Sequence, residues 1–285
     1  MIYALLGAVA WAALDGLRKR LSNSVDVFAL SAWLNGGAVP AFLLWAGWSG
    51  AGWPDEGYLL PGLGVLGIGL LAQLLFLLAL RWAGLARTIP MLALTPAIAS
   101  FVAWLVLGEV PTAREGGGLV LIVVGCLANG VLAARERPSE GVPHPVRGML
   151  AMASVAVLWS VTGVVDKVAL RHAAPASHAT FVVLGTLLAL IGLLVARGRL
   201  RDLVPAPGDR LPLFGAVGTL GLAYGLQLLA ISAIAVGLVE GVKRGVGVPA
   251  ALFTGWAFFG ESVSKGRQVA ALVVVMGLVL VQGSG

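Results

Sequence analysis

Ten apolar runs fill almost the whole chain, and no other feature restricts its fold so sharply. They fall at 2–18, 27–47, 58–80, 85–107, 116–134, 147–169, 178–196, 212–233, 237–259 and 266–283. A bilayer core about 30 Å thick is crossed by about 20 apolar residues in a helix. The pattern predicts an all-α integral membrane protein with ten transmembrane helices and short connections. Only 11% of the 285 residues are charged, against about 25% in average soluble domains, so the chain lacks the polar surface a water-soluble globule needs. The longest polar stretches, Arg135 to Arg147 and Arg197 to Arg210, are too short for an extramembrane domain.

Nineteen Lys and Arg outnumber thirteen Asp and Glu. No basic stripe with interleaved aromatics accompanies them, so nucleic acid is not an expected partner; basic residues gather in cytoplasmic loops because insertion retains them there. A single cysteine, Cys126, excludes disulfides within the chain and cysteine metal sites. Ala8-Val9-Ala10 resembles a cleavage site, but no basic segment precedes it, so no signal peptide is expected.

The two halves of the chain resemble each other. Trp11 and Lys19 recur 148 residues later as Trp159 and Lys167. Pro96 recurs as Pro249 at an offset of 153, Trp104 with Gly108-Glu109 as Trp256 with Gly260-Glu261 at 152, and Arg114 as Arg267 at 153. Each pair is weak alone, but their shared order and nearly constant offset are not accidental. An odd number of helices per copy inverts the second copy in the membrane, the plan of many secondary transporters. We expect a first repeat at 1–134, a polar linker at 135–146 and an inverted second repeat at 147–285, each of five helices.

Trp-x7-Lys on the first helix of each half, and a Pro about a dozen residues before Gly-Glu at the end of the fourth, resemble the drug/metabolite transporter superfamily, and within it the EamA-type exporters. The resemblance covers nearly the whole chain. It implies a secondary transporter of a small organic metabolite such as an amino acid or related carboxylate, in the cell inner membrane, working by alternating access as a monomer or homodimer. Protons or a counter-substrate would drive it, and no cofactor is implied. Trp11-Ala12 and Trp159-Ser160 depart from the family's usual Trp-Gly. Lys243-Arg244 is similar to a pair that nucleotide-sugar and triose-phosphate members use for anionic substrates.

A basic residue at mid-helix costs about 2.5 to 3.5 kcal/mol on insertion scales, so Lys243 and Arg244 need a partner or a wet cavity. Glu240, at i+3 and i+4, is the nearest partner on one helix face. Two readings stand: the pair snorkels to an interface, or one cation meets a substrate carboxylate or phosphate. Lys19 and Lys167, with Asp15 and Asp166 close by, are either interfacial anchors or site residues, and Arg18 and Arg20 read as anchors. Gln73 and Gln227, in apolar helices three and eight, are interhelical glue or ligands. Trp11, Trp159, Phe76 and Tyr224 offer flat walls to a cavity. The expected substrate-binding set is thus Lys243, Arg244, Glu240, Trp11, Trp159, Gln73, Gln227, Tyr224, Lys19 and Lys167.

Gly62-Leu63-Gly64-Val65-Leu66-Gly67 matches a dinucleotide-binding pattern, but it lies in a membrane run with no strand before it. Pro96 and Pro249 are expected to kink the fourth helix of each half. His144, His172 and His178 fall in loops or near helix ends without ligand-like spacing, and no metal site is expected. The absence of a P-loop excludes ATP-driven transport within this chain. The competing class, an integral-membrane enzyme acting on lipid or isoprenoid substrates, calls for clustered carboxylates or His and Cys groups, and the acidic residues are scattered. Fourteen of the nineteen basic residues lie on the side opposite the termini, which places the termini outside. The family resemblance implies the reverse.

Overall fold

A computed structural model describes residues 1–83, 88–135, 144–260 and 262–282. Among them run ten α-helices: α1 (Ile2–Leu21), α2 (Val27–Trp48), α3 (Leu59–Trp82), α4 (Thr95–Leu107), α5 (Ala113–Arg135), α6 (Pro145–Ala169), α7 (Pro175–Ala196), α8 (Arg210–Ala233), α9 (Val236–Phe259) and α10 (Lys265–Gln282). No strand occurs among the described residues. The expected runs lie close to these bounds, with one difference. Within the fourth run, whose residues 85–87 lie outside the described ones, a 3-10 segment, Ile89–Leu94, leads into α4, whose 13 residues start at Thr95. At about 2.0 Å per residue in the 3-10 segment and about 1.5 Å in the α segment, the pair reaches roughly 32 Å, enough to match its neighbours.

Among the described residues six helical segments are long and apolar enough to cross a membrane, and Met91–Leu107 is a shorter apolar one. Of the remaining three helices, α1 and α9 carry the charges that form the site described below. The outer surface is apolar: Leu44, Trp48, Leu60, Leu211 and Phe214 lie exposed, as helices facing lipid require.

Local chemistry sets the helix ends. The Asp26 carboxylate accepts from Phe28 N at 2.9 Å and Ala29 N at 3.2 Å, capping α2, while Thr112 and Glu115 exchange hydrogen bonds at the start of α5 as a capping box. Gly108 and Gly260 close α4 and α9 with φ of 72° and 64°, a left-handed conformation that only glycine adopts cheaply. This accounts for the repeated Gly of the Gly-Glu motif. Pro96 stands in the first turn of α4, where its missing N–H leaves no bond unmade. It starts the helix, and the kink expected from it is not needed. Pro249 does lie inside α9.

The closest helix partners are α5 with α10, α3 with α6, α1 with α8, α2 with α7, α1 with α9, α4 with α9 and α4 with α6. Exchanging helices 1–5 for 6–10 maps this set onto itself, so each half packs against the other as the other packs against it. Small residues permit the tightest seam: a Cβ on Gly277 of α10 would stand 2.6 Å from Gly118 O of α5, and one on Gly125 of α5 would stand 2.8 Å from Ala270 O of α10. The expected linker lies mostly at 136–143, and the expected match of Glu109 with Glu261 involves residue 261; both fall outside the described residues.

Candidate functional site

A cavity open to solvent lies where α1, α2 and α3 meet α6, α7, α8 and α9. Eight of the ten expected site residues line it: Trp11, Gln73, Trp159, Tyr224, Gln227, Glu240, Lys243 and Arg244. They come from five helices, and the fold gathers them because each lies on the bundle face of its own helix.

The charged floor belongs to α9. Lys243 Nζ donates to Glu240 Oε1 at 2.6 Å, and Arg244 Nη2 lies 3.6 Å from Glu240 Oε2. Glu240 is only 1% exposed and both cations are buried, so this pair is inside the bundle and not at an interface. One carboxylate cannot neutralise two cations, and a second comes from α1. Asp15 lines the same cavity, pairs with Arg18 at 3.5 Å, and feels the charges of both Arg244 and Lys243.

Arg18 departs from its expected place as an anchor. It is 2% exposed, lines the cavity, and lies 5.3 Å from the ring centres of both Trp11 and Phe76, a cation over two aromatic faces. Arg20, two positions on, is exposed as expected. A helix turns 100° per residue, so Arg18 shares a face with Asp15 one turn back and not with its basic neighbour.

Trp159 stacks on Phe76 with centroids 5.0 Å apart, and Tyr224 meets Phe42 edge-on at 6.0 Å. Trp159, Tyr224 and Trp11, over which Lys243 Nζ sits at 5.5 Å, give the cavity its apolar walls, while Phe76 and Phe42 pack against them without lining it. Asn35 of α2, a lining residue with no forewarning in the sequence, donates to Gln73 Oε1 at 3.3 Å. Buried polar atoms without a hydrogen-bond partner among the described residues include Trp11 Nε1, Gln73 Nε2 and Gln227 Oε1. All three belong to lining side chains, and buried polar atoms left unmatched are costly, so they are ready to meet a polar ligand.

Lys19 and Lys167 do not line the cavity. Lys19 Nζ donates to Leu80 O at 2.7 Å and Ala83 O at 3.2 Å, the end of α3. Lys167 Nζ donates to Ile234 O at 2.8 Å, the end of α8, and pairs with the Glu109 carboxylate. Glu109 also accepts from Val236 N at 2.9 Å, in the first turn of α9, where a carboxylate suits the helix dipole. In each half, therefore, the lysine of the first helix caps the last carbonyls of the third, a favourable place for a cation. Ala83 and Ile234, 151 residues apart, are the matched cap residues, each extended and each donating one turn back, to Ala79 O and Ala230 O.

The second half holds a buried group whose members the sequence showed only separately. Asp166 lines the cavity at 1% exposure. Its Oδ1 lies 2.9 Å from His178 Nε2, and His178 Nδ1 lies 2.7 Å from the Tyr58 hydroxyl. His178 is fully buried one turn into α7, so its closeness to a helix end in sequence concealed its depth. With Asp15, Asp166 and Glu240 against Arg18, Lys243 and Arg244, the charged lining residues balance three to three.

A solved structure described as "Crystal structure of protein" is similar to this chain, with a TM-score of 0.74 at 19% identity over 98% of this chain and 94% of that one. At that identity the likeness shows the fold. No curated protein sequence matches significantly. The model of the EamA-like transporter family matches residues 1–130 and again 146–282, one match for each half of the bundle, and the chain belongs to that family of multi-pass membrane transporters, within the drug/metabolite transporter superfamily.

Proposed function

We propose that this protein is a secondary transporter that carries a small amino acid or related carboxylate across the inner membrane by alternating access. In this reading all ten helices cross the bilayer as two inverted repeats, and the cavity between them is the substrate site, near the midplane where such sites form. The observation that carries it is the cavity's lining: buried Lys243 and Arg244 share one carboxylate, Glu240, beside walls of Trp11 and Trp159. A substrate carboxylate is drawn to these two cations, while an apolar side chain lies against the indoles. Gln73, Gln227 and Tyr224 orient the polar remainder. Lys19 and Lys167 support the site by holding the ends of α3 and α8.

Uptake by purified protein in liposomes, offered a panel of radiolabelled amino acids and short hydroxy acids, tests this reading. Saturable uptake of at least one zwitterionic or anionic solute is expected. The variant Lys243→Gln with Arg244→Gln loses that uptake while still eluting as folded protein. Undiminished uptake by the double variant refutes the site.

A further inference from the structure

The hydrogen-bonded row Tyr58–His178–Asp166 is unusual for its depth. Tyr58, His178 and Asp166 are 3%, 0% and 1% exposed, yet Tyr58 directly follows the exposed turn where Asp55 Oδ1 contacts His172 Nδ1 at 2.9 Å. The row runs from that membrane face to the cavity. Its casing is apolar: Tyr58 meets His178 and Phe181 edge-on at 5.6 and 5.1 Å. The Tyr58 ring also lies over Gly62, where a Cβ would stand 2.7 Å from it. The first glycine of the pattern at 62–67 therefore makes room for this tyrosine.

We propose that Tyr58, His178 and Asp166 form a proton relay that neutralises Asp166 when an anionic or zwitterionic substrate binds, so that one proton moves with each substrate. This rests on the transport reading above and adds its coupling ion and the residues that bind it. With Asp166 ionised, His178 Nε2 carries the proton it donates to Oδ1, and Nδ1 accepts the Tyr58 hydroxyl proton. An added proton reaches Nδ1 by way of the hydroxyl, which is reprotonated from the membrane face. The Nε2 proton then passes to Asp166 Oδ1. The result is a neutral carboxyl group and a neutral imidazole of the other tautomer, with both His178 contacts still bridged by hydrogen. A lone buried carboxylate has no such second arrangement.

The other groups that face the pair are Tyr224 of α8 and Lys243 of α9, both within electrostatic reach of Asp166, and Glu240, which lines the same space. Lys167, next along α6, is held by Glu109, and α2, packed on α7, carries no titratable side chain. Protonating Asp166 turns a balanced lining into one with an excess positive charge. Proton and anion then each strengthen the other's binding, by reciprocity. The first repeat has no counterpart, because the position matching Asp166 at the offset of 148 is Arg18.

Full-length protein labelled with ¹⁵N-histidine in lipid nanodiscs tests the relay without any substrate. Of its three histidines, His178 is assigned by the signal lost in His178→Gln. On acidification the ring proton is expected to move from Nε2 to Nδ1, so that the two nitrogen signals exchange their protonated and unprotonated roles, and Asp166→Asn to abolish that exchange. A His178 ring that keeps one tautomer on acidification, or whose exchange survives Asp166→Asn in folded protein, overturns the proposal. Proteoliposomes loaded with pyranine, given the same amino and hydroxy acids, test coupling: proton entry is expected to accompany uptake, and to be lost in Asp166→Asn. Uptake with no proton entry overturns the coupling. Failure to take up any acid counts against the transport reading, and the histidine tautomer exchange alone then decides the relay.

Discussion

Replacing Glu240 with Gln preserves shape and deletes one charge, which leaves two buried cations facing each other. With the Lys243 ammonium at 2.6 Å and the Arg244 guanidinium at 3.6 Å, an effective dielectric of about 20 gives attractions of about 6 and about 5 kcal/mol. Desolvation of all three groups offsets much of this, and removing one partner of a buried pair costs about 3 to 5 kcal/mol net. Asp15 remains as a second anion facing both cations, which places the loss near the lower figure. At roughly 2–4 °C per kcal/mol for a chain of this size, a loss of about 3 kcal/mol lowers the apparent unfolding midpoint by roughly 6–12 °C. Unfolding is followed by tryptophan fluorescence in detergent at one fixed scan rate, because membrane proteins unfold irreversibly and the midpoint depends on that rate. Glu240→Gln with Lys243→Met, which removes the cation that had lost its partner, recovers at least half of the fall. An unchanged midpoint in the single variant, or a further drop in the double one, refutes the assignment of Glu240 as the shared counter-ion.

Gly277→Val forces a side chain into a seam where even a Cβ meets Gly118 O at 2.6 Å, and overpacking of this kind costs about 1–3 kcal/mol; Gly67→Ala, whose Cβ meets nothing within 4 Å, serves as control, and equal folded yields for the two refute the seam. Lys167→Met leaves Glu109 and Ile234 O without their cation and lowers thermal stability by about 1–3 kcal/mol, with KM for the transported solute unchanged. A raised KM at unchanged stability instead makes Lys167 a substrate contact. A C-terminal fusion to a reporter active only in the periplasm is expected to be active, because basic residues concentrate on the opposite face; an inactive reporter on stably expressed protein reverses the orientation.

The sequence read well where one residue's neighbours along its own helix decide the outcome. Apolar run length located the helices, and i+3 and i+4 spacing identified Glu240 as the partner of Lys243 and Arg244. It read poorly where a partner lies far along the chain. Tyr58 and His178 are 120 residues apart, and nothing in either local segment announces the other. Arg18 was hidden by its neighbours, since three basic residues in a row look alike in sequence while the helix turns Arg18 to the cavity, Lys19 to the end of α3 and Arg20 outward. Pro96 misled in a third way: proline predicts a kink only inside a helix, and the 3-10 segment before Thr95 made it a first-turn residue of α4.

Matched positions in the two repeats sort by what they do. Lys19 and Lys167 are identical and perform one task twice, capping the third helix of their own half; a two-fold scaffold needs that task in both copies. Within the cavity the matching breaks down. At the offset of 148 Arg18 faces Asp166, and at the offset of 151 that relates Ala79 to Ala230, Gln73 corresponds to Tyr224 and Phe76 to Gln227. Identity between repeats marks the frame, and difference marks the site, because a substrate without two-fold symmetry cannot be held by a lining that has it. The opposed charges of Arg18 and Asp166 give the space a direction, suited to a molecule with one anionic end. Trp11 and Trp159 are the exception among lining residues, alike in both copies. An apolar wall has no polarity to invert, so symmetry there costs the site nothing.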